Sequence, residues 1–351
     1  MPTAPPNFAF GLAFIVDDYP DSIAAVVGGP SLRIPIGEGL VAVSGDRAAS
    51  VIYRDAGGIR GAGGSTIIVR EISTGHEVVR VDRPEQVATM VFAGGSLYFA
   101  GHPVEGATRD TGVDAINLAD GTVREVIAPG PWPVAWSSFD LPTQYAQYQG
   151  TGDRWQLRVS PTGSIVASPA CGPATPGGGA DHCVIDVIDT ATDTVTRPIT
   201  DTAFYLRAVS DTTLYAAPEG PDIVAAFDRA TGRQRWQVGG GAFWSSYATS
   251  QGAFIAAWVP ATAAGPRPRM GVAALDATTG AMQMFDEVST DPGLTLWPEL
   301  SDDHYAVASR GGSLLEGAFR HGLRSVSADL IDLTTGQVFP YALTIPSPIT
   351  P

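Results

Sequence analysis

Residues 225–238 read AAFDRATGRQRWQV. An apolar run ends at Asp228, two residues pass, and Thr231-Gly232 opens a second run that carries Trp236. An aspartate whose side-chain oxygen bonds nearby backbone N–H groups, followed by a residue at positive φ, is the chemistry of a hairpin turn carrying a bulge. The phrase recurs as VREISTGHEVV at 69–79, AINLADGTVREVI at 115–127, DVIDTATDTVTRPI at 186–199, AALDATTGAMQMF at 273–285 and DLIDLTTGQVFPY at 329–341. Aligned on the turn, the acid or amide is Glu71, Asn117, Asp189, Asp228, Asp276 and Asp332. The turn glycine is Gly75, Gly121, Gly232, Gly280 and Gly336, and the single departure is Asp193. Asp tolerates the left-handed conformation better than most residues.

Around each turn the chain repeats two apolar runs, a longer connection and two more runs. Successive turns lie 46, 72, 39, 48 and 56 residues apart, and the longest interval holds an insertion at 128–153. Hairpins at this period predict an all-β fold, a β-propeller of four-stranded antiparallel blades. The count is six blades, or seven if residues 1–35 make one. Those residues do not fit the repeat, and their runs FAFGLAFIV and SIAAVV are ring-closing strands or an N-terminal extension. Residues 36–345 are expected to form a single propeller domain.

The strand ending in Asp-x-x-Thr-Gly and leading to a Trp-bearing strand, clearest at 225–238, resembles the repeat of the PQQ-like β-propeller superfamily. The resemblance extends from about Ile36 to Tyr341. It implies a propeller, in a superfamily that includes quinone-dependent dehydrogenases, lipoprotein assembly factors and binding modules. Only Trp236 keeps the outer-strand tryptophan, and no calcium-ligand constellation stands beside a place for a quinone. The expectation is therefore a non-dehydrogenase member with no cofactor.

Charged residues are 16% of the chain, while Gly 41 and Pro 28 match the needs of many short strands and tight turns. A net charge of -15 repels nucleic acid and anionic membranes, so no nucleic-acid role is expected. All 21 basic residues are arginine, which excludes lysine Schiff-base chemistry. No apolar run is long enough to span a bilayer. MPTAPPN lacks the basic start of a signal peptide, so an exported protein would here be its mature form.

Cys171 and Cys183 bracket GPATPGGGADH, and each adjoins a strand-like run. At facing ends of two antiparallel strands they can form a disulfide, which would place the protein in an oxidising, extracytoplasmic compartment. The alternatives are a metal site that uses His182, which no second Cys or His pair accompanies, and a cytoplasmic protein with two reduced thiols.

The long connections all fall on one face of such blades, opposite the tight turns, and function on loop-decorated scaffolds sits there. The insertion carries Trp132, Trp136, Phe139, Tyr145 and Tyr148; WSSY at 244–247 repeats part of it with Trp244 and Tyr247, and Trp297 stands at the next junction. Aromatics at a channel mouth suit a glycan or protein ligand, and the bland alternative is that they plug the channel. His102, His182 and His321 share that face, with Arg60, Arg109, Arg267, Arg269, Arg320 and Arg324. Three histidines on separate loops make a poor metal site, and none is expected. No serine-hydrolase elbow, phosphate loop or HExxH appears. The innermost strands are sparse in acid and base, with Arg158, Arg207, Glu299, Asp302, Asp303 and His304. The reading is an extracytoplasmic binding module, monomeric, for a protein or glycan. An enzyme with a site at the channel mouth, a hydrolase, lyase or quinoprotein-like catalyst, is the alternative.

Overall fold

The computed structural model describes residues 13–18, 21–26, 31–35, 37–54, 63–101, 112–129, 157–173, 181–202, 204–218, 223–239, 246–248, 252–259, 269–288, 294–296, 305–310, 325–332 and 337–344. Among them there is strand and turn and no helix. A three-stranded sheet comes first, from β1 (Ala13–Asp18), β2 (Asp21–Val26) and β3 (Ser31–Ile34). Six four-stranded sheets follow, each with its strands side by side in chain order. The first holds β4 (Gly39–Ser44), β5 (Arg47–Tyr53), β6 (Ser65–Glu71) and β7 (Glu77–Arg83), and the second β8 (Val87–Ala93), β9 (Ser96–Gly101), β10 (Val113–Asn117) and β11 (Val123–Ile127). The third has β12 (Arg158–Val159), β13 (Ile165–Pro173), β14 (Asp181–Asp189) and β15 (Thr194–Thr202), and the fourth β16 (Phe204–Val209), β17 (Thr213–Pro218), β18 (Ile223–Asp228) and β19 (Gln234–Gly239). The fifth comprises β20 (Ser246–Ala248), β21 (Gly252–Val259), β22 (Arg269–Asp276) and β23 (Met282–Val288), and the sixth β24 (Leu294–Leu296), β25 (Tyr305–Arg310), β26 (Ser325–Asp332) and β27 (Val338–Thr344). Pairing is antiparallel.

Two compact units divide the chain. One comprises Met1–Ile52, Ile67–Arg80 and Val238–Pro351, and the other Tyr53–Thr66 and Val81–Gln237.

In the second unit the middle strands are buried on both faces, which is why they read as continuous apolar runs rather than alternating ones. On β13 and β14, Ile165, Ala167, Ile185 and Val187 pack against Leu206, Leu214, Ala216 and Phe227 of the fourth sheet. Their neighbours Val166 and Ile188 face the other way, against Tyr98, Ala100, Val113 and Ala115 of the second sheet. A period of two thus loads both faces of one strand with core. The last strands are half-solvated and alternate, as Gln234 to Gly239 does around buried Trp236. Trp236 packs on Tyr215, ring centroids 6.1 Å apart. In the first unit, β3 places Leu32 and Ile34 against Ala48 and Ile72.

The β13–β14 register puts Cys171 directly opposite Cys183, whose side chain is buried.

Candidate functional site

Every hairpin within a sheet leaves two kinds of chain end. In each of the first four four-stranded sheets the first-to-second and third-to-fourth turns are tight and lie at one end of the strands; the second-to-third connections and the links between sheets leave from the other end.

On the tight-turn face the repeated phrase bonds to itself. Asp228 Oδ1 accepts the N–H groups of Ala230 (3.1 Å) and Thr231 (2.9 Å) and the Thr231 hydroxyl (2.8 Å). Asp189 Oδ1 does the same for Ala191, Thr192 and the Thr192 hydroxyl, and Asp276 Oδ1 for Thr278, Thr279 and the Thr279 hydroxyl. The threonine oxygen then accepts the N–H two residues on, as in Thr231 with Arg233. In the second sheet Asp120 takes that place and accepts the Thr122 N–H at 2.9 Å. The glycines that follow have φ between 68° and 73°, and Asp193 has φ 54°. The residue after the acid donates its N–H to the other tight turn of the same sheet in four sheets: Ile72 to Asp46 O, Leu118 to Gly95 O, Thr190 to Ser164 O and Arg229 to Thr212 O, at 2.9–3.2 Å. These acids are turn-forming groups, each with its Oδ1 bonded within its own turn.

Further polar clasps join neighbouring sheets. Asp193 on the third sheet accepts from Arg124 Nε (2.6 Å) and Nη2 (3.0 Å) and from the Tyr98 hydroxyl (3.1 Å), all on the second. The Arg124 hydrogen bonds hold the Asp193 carboxyl below its ordinary range. Burial and the Asp193 charge push the Tyr98 phenol up to about 12, so it stays a donor. Thr162 and Ser164 of the third sheet donate to Asp211 of the fourth at 2.7 and 2.8 Å. Burial raises the Asp211 carboxyl, and hydrogen bonds from Ser160, Thr162 and Ser164 outweigh that and lower it. In the first unit, Arg70 on β6 forks onto Glu38, in the link that leads from β3 to β4, at 2.6 and 2.9 Å, with Ser50 donating to the same carboxylate at 2.6 Å. Arg70 and Glu38 are 8% and 7% exposed, so loss of either would strand a buried charge.

On the loop-bearing face, the ends of β5, β7 and β9 and the starts of β6, β8 and β10 gather a second charged group. Arg54 lies across Gly64 and donates to Arg83 O (2.7 Å) and Ser65 O (3.3 Å), with Asp82 3.5 Å away. A Cβ at Gly64 would collide with the Arg83 carbonyl as well as with the Arg54 guanidinium, and because the first is backbone only glycine fits there. Arg83 pairs with Glu85 at 2.7 Å and with Asp114, and lies 5.2 Å from the Phe99 ring centroid. Burial raises the Asp114 carboxyl despite Arg83. Tyr53 stands at this edge, 45% exposed, its hydroxyl on Val87 O.

Of the residues expected to bind a ligand, Trp132, Trp136, Phe139, Tyr145, Tyr148, Trp244 and Trp297 lie outside the described residues, as do His102, His321, Glu299, Asp302, Asp303 and His304. Tyr247 is on β20 and His182 on β14. The groups of three or more His, Cys, Asp or Glu that a metal needs do not occur among the described residues. No helix among them is long and apolar enough to cross a membrane. The clasps were missed by the sequence reading because it treated each turn as self-contained; the signal was there in Asp193, the one turn residue that is not glycine.

Sheets strung in this order and packed face to face have counterparts among solved structures. The β-propeller domain of the Trilobed protease from Pyrococcus furiosus matches 96% of this chain over 98% of its own length, with a TM-score of 0.51 at 9% identity. The fold is a β-propeller. The tricorn protease gives the same TM-score, 0.51, at 10% identity over 96% of this chain, which spans 34% of the protease chain. No family model matches the propeller, and no curated protein matches it in sequence.

Proposed function

We propose that this propeller is an extracytoplasmic binding module that takes a protein or glycan ligand on its loop-bearing face. One observation carries the reading. Among the described residues, the turn acids and threonines at the tight-turn ends are bonded within and between sheets, which supports reading those ends as scaffold and the loop-bearing face as the one used for recognition. The reading assigns recognition to the aromatic residues of the insertion at 128–153, Trp132, Trp136, Phe139, Tyr145 and Tyr148, with Trp244, Tyr247 and Trp297 at later junctions of the sequence. Flat aromatic faces bind sugar rings and apolar side chains at low entropic cost. Kinship with the PQQ-like repeats belongs to the same reading, supported by the Asp-x-x-Thr-Gly turns. The export reading rests on Cys171 and Cys183: directly opposed residues of an antiparallel pair lie about 4.5–5.5 Å apart at Cα, within the roughly 4.4–6.8 Å that a disulfide spans. Denatured, unreduced protein is then expected to titrate no thiol, and two thiols would refute it.

The test of the binding face is tryptophan fluorescence with acrylamide, on the wild type and on Trp136→Ala. Ligand-binding rings must be open to solvent, so strong quenching with little change in stability is expected. Poor quenching with a large loss of stability in Trp136→Ala would mean that the insertion is a plug.

A further inference from the structure

The N-terminal sheet, β1 to β3, is three-stranded, where each of the other six sheets has four strands. The chain's own pattern tells which positions its strands hold. Residues 35–38 carry the chain from β3 into β4, a short link like 84–86 into β8 and 203 into β16, each of which joins a last strand to a first. β1 and β2 lie beside β4, as the second and third strands of other sheets lie beside the first strand of the next: β13 and β14 beside β16, β21 and β22 beside β24. β1, β2 and β3 therefore hold the places of a second, third and fourth strand. β1 pairs with β2 over its whole length, from Ala13 opposite Val26 to Asp18 opposite Asp21, and every second N–H and C=O of β1 points to its other edge. Among the described residues no strand pairs there. An edge of that kind is a template for another strand.

The chain carries a segment suited to it. β27, the last strand of the sixth sheet, belongs to the same compact unit as β1, β2, β3 and β4. Elsewhere the chain leaving a last strand enters the next sheet as its first strand. The residues after β27 are Ile345, Pro346, Ser347, Pro348, Ile349, Thr350 and Pro351. Pro346 and Pro348 are two apart, so in an extended chain both missing N–H groups fall on the same edge. The N–H groups of Ser347 and Ile349 then point together to the opposite edge. Such a segment cannot be a middle strand, but it suits a strand paired on one side only. First strands are of that kind, each with a neighbour on one side, and they are short: β12 has two residues, and β20 and β24 three each.

We propose that residues 345–349 pair antiparallel with β1 and become the first strand of the N-terminal sheet, Ser347 and Ile349 donating to β1 and the proline edge facing away. The acceptor is the backbone edge of Ala13–Asp18. Its occupant is this chain's own segment, whose direct tether to β27 gives it a high effective concentration over a strand from another molecule. The pairing covers an edge that would otherwise invite association. It stands whether or not the loop-bearing face binds a ligand.

Amide hydrogen exchange by NMR on the full chain tests this. The Ser347 and Ile349 N–H groups should exchange about tenfold or more slower than in a free peptide, and Thr350 N–H, on the proline edge, at the free-peptide rate. Ser347→Pro, which removes a bonding donor, should speed exchange within Ala13–Asp18 by about tenfold or more, whereas Pro348→Ser, which adds a donor only on the outer edge, should leave it unchanged. Free-peptide rates at Ser347 and Ile349, or β1 exchange equal in wild type and Ser347→Pro, would overturn the proposal. So would protection that disappears on dilution together with a dimer in light scattering, since the strand would then come from a second copy. If Ser347→Pro does not fold, the alternation of slow and fast amides in the wild type decides alone.

Discussion

The turn after Asp189 and the turn after Asp228 share the same Asp and Thr hydrogen bonds and differ in the residue at positive φ that follows the threonine. In the fourth sheet that residue is Gly232, where a Cβ would collide with the Pro198 carbonyl of the third sheet. Pro198 lies in a bulge of β15, between the pairs Ile185–Ile199 and Val187–Thr196, where its missing N–H costs no ladder bond. The bulged backbone fills the space against the next sheet, and only glycine fits. In the third sheet the residue is Asp193, which faces Arg124 and Tyr98 of the second sheet and uses its side chain to clasp them. The same turn position is thus read by the neighbouring sheet, which decides between no side chain and a charged one. The strain of a non-glycine residue at φ 54° is offset by an ion pair and a tyrosine hydrogen bond.

Breaking the fourth-sheet turn should have the largest effect. Gly232→Ala introduces both a left-handed alanine and a backbone collision, and a loss of more than about 3 kcal/mol in urea unfolding is expected. The second test uses pH. The hydrogen bond from Arg235, with those from Thr231, lowers the Asp228 carboxyl to about 2, below its ordinary 3.8. A depressed folded value means stability present above pH 4 and lost as the pH falls toward 2. Asp228→Asn should flatten that part of the profile; an unchanged slope would mean that Asp228 does not contribute. A smaller effect should follow at Asp193. Asp193→Ala keeps the strain and loses the clasp, for about 1–2 kcal/mol, whereas Asp193→Gly also relieves the strain and should cost less than about 1 kcal/mol. Paired with Arg124→Gln, the Asp193→Ala cycle should show a coupling of roughly 0.5–1 kcal/mol.

The sequence shows the turns plainly because their bonds reach only two or three residues ahead, so Asp, Thr and Gly in that order specify the geometry by themselves. Mostly apolar runs such as SIVASPA and VIDVID likewise announce strands buried on both faces. The clasps are another matter. Arg83 and Asp114 stand 31 residues apart, Arg70 and Glu38 32, and Arg124 and Asp193 69, so nothing local links the partners until the chain has folded back on itself. The proposed binding face is legible only as composition, a run of aromatics in one insertion, because ligand recognition has no spacing rule comparable to a turn.

The central claim is that the acids of the repeat are scaffold. Asp189→Ala tests it most directly, since this carboxylate bonds three groups of its own turn. Residues kept for function commonly cost stability, and residues kept for structure supply it. Urea unfolding should therefore show the variant less stable by about 1 kcal/mol at an unchanged m value. A variant as stable as the wild type, or more stable, would contradict the claim.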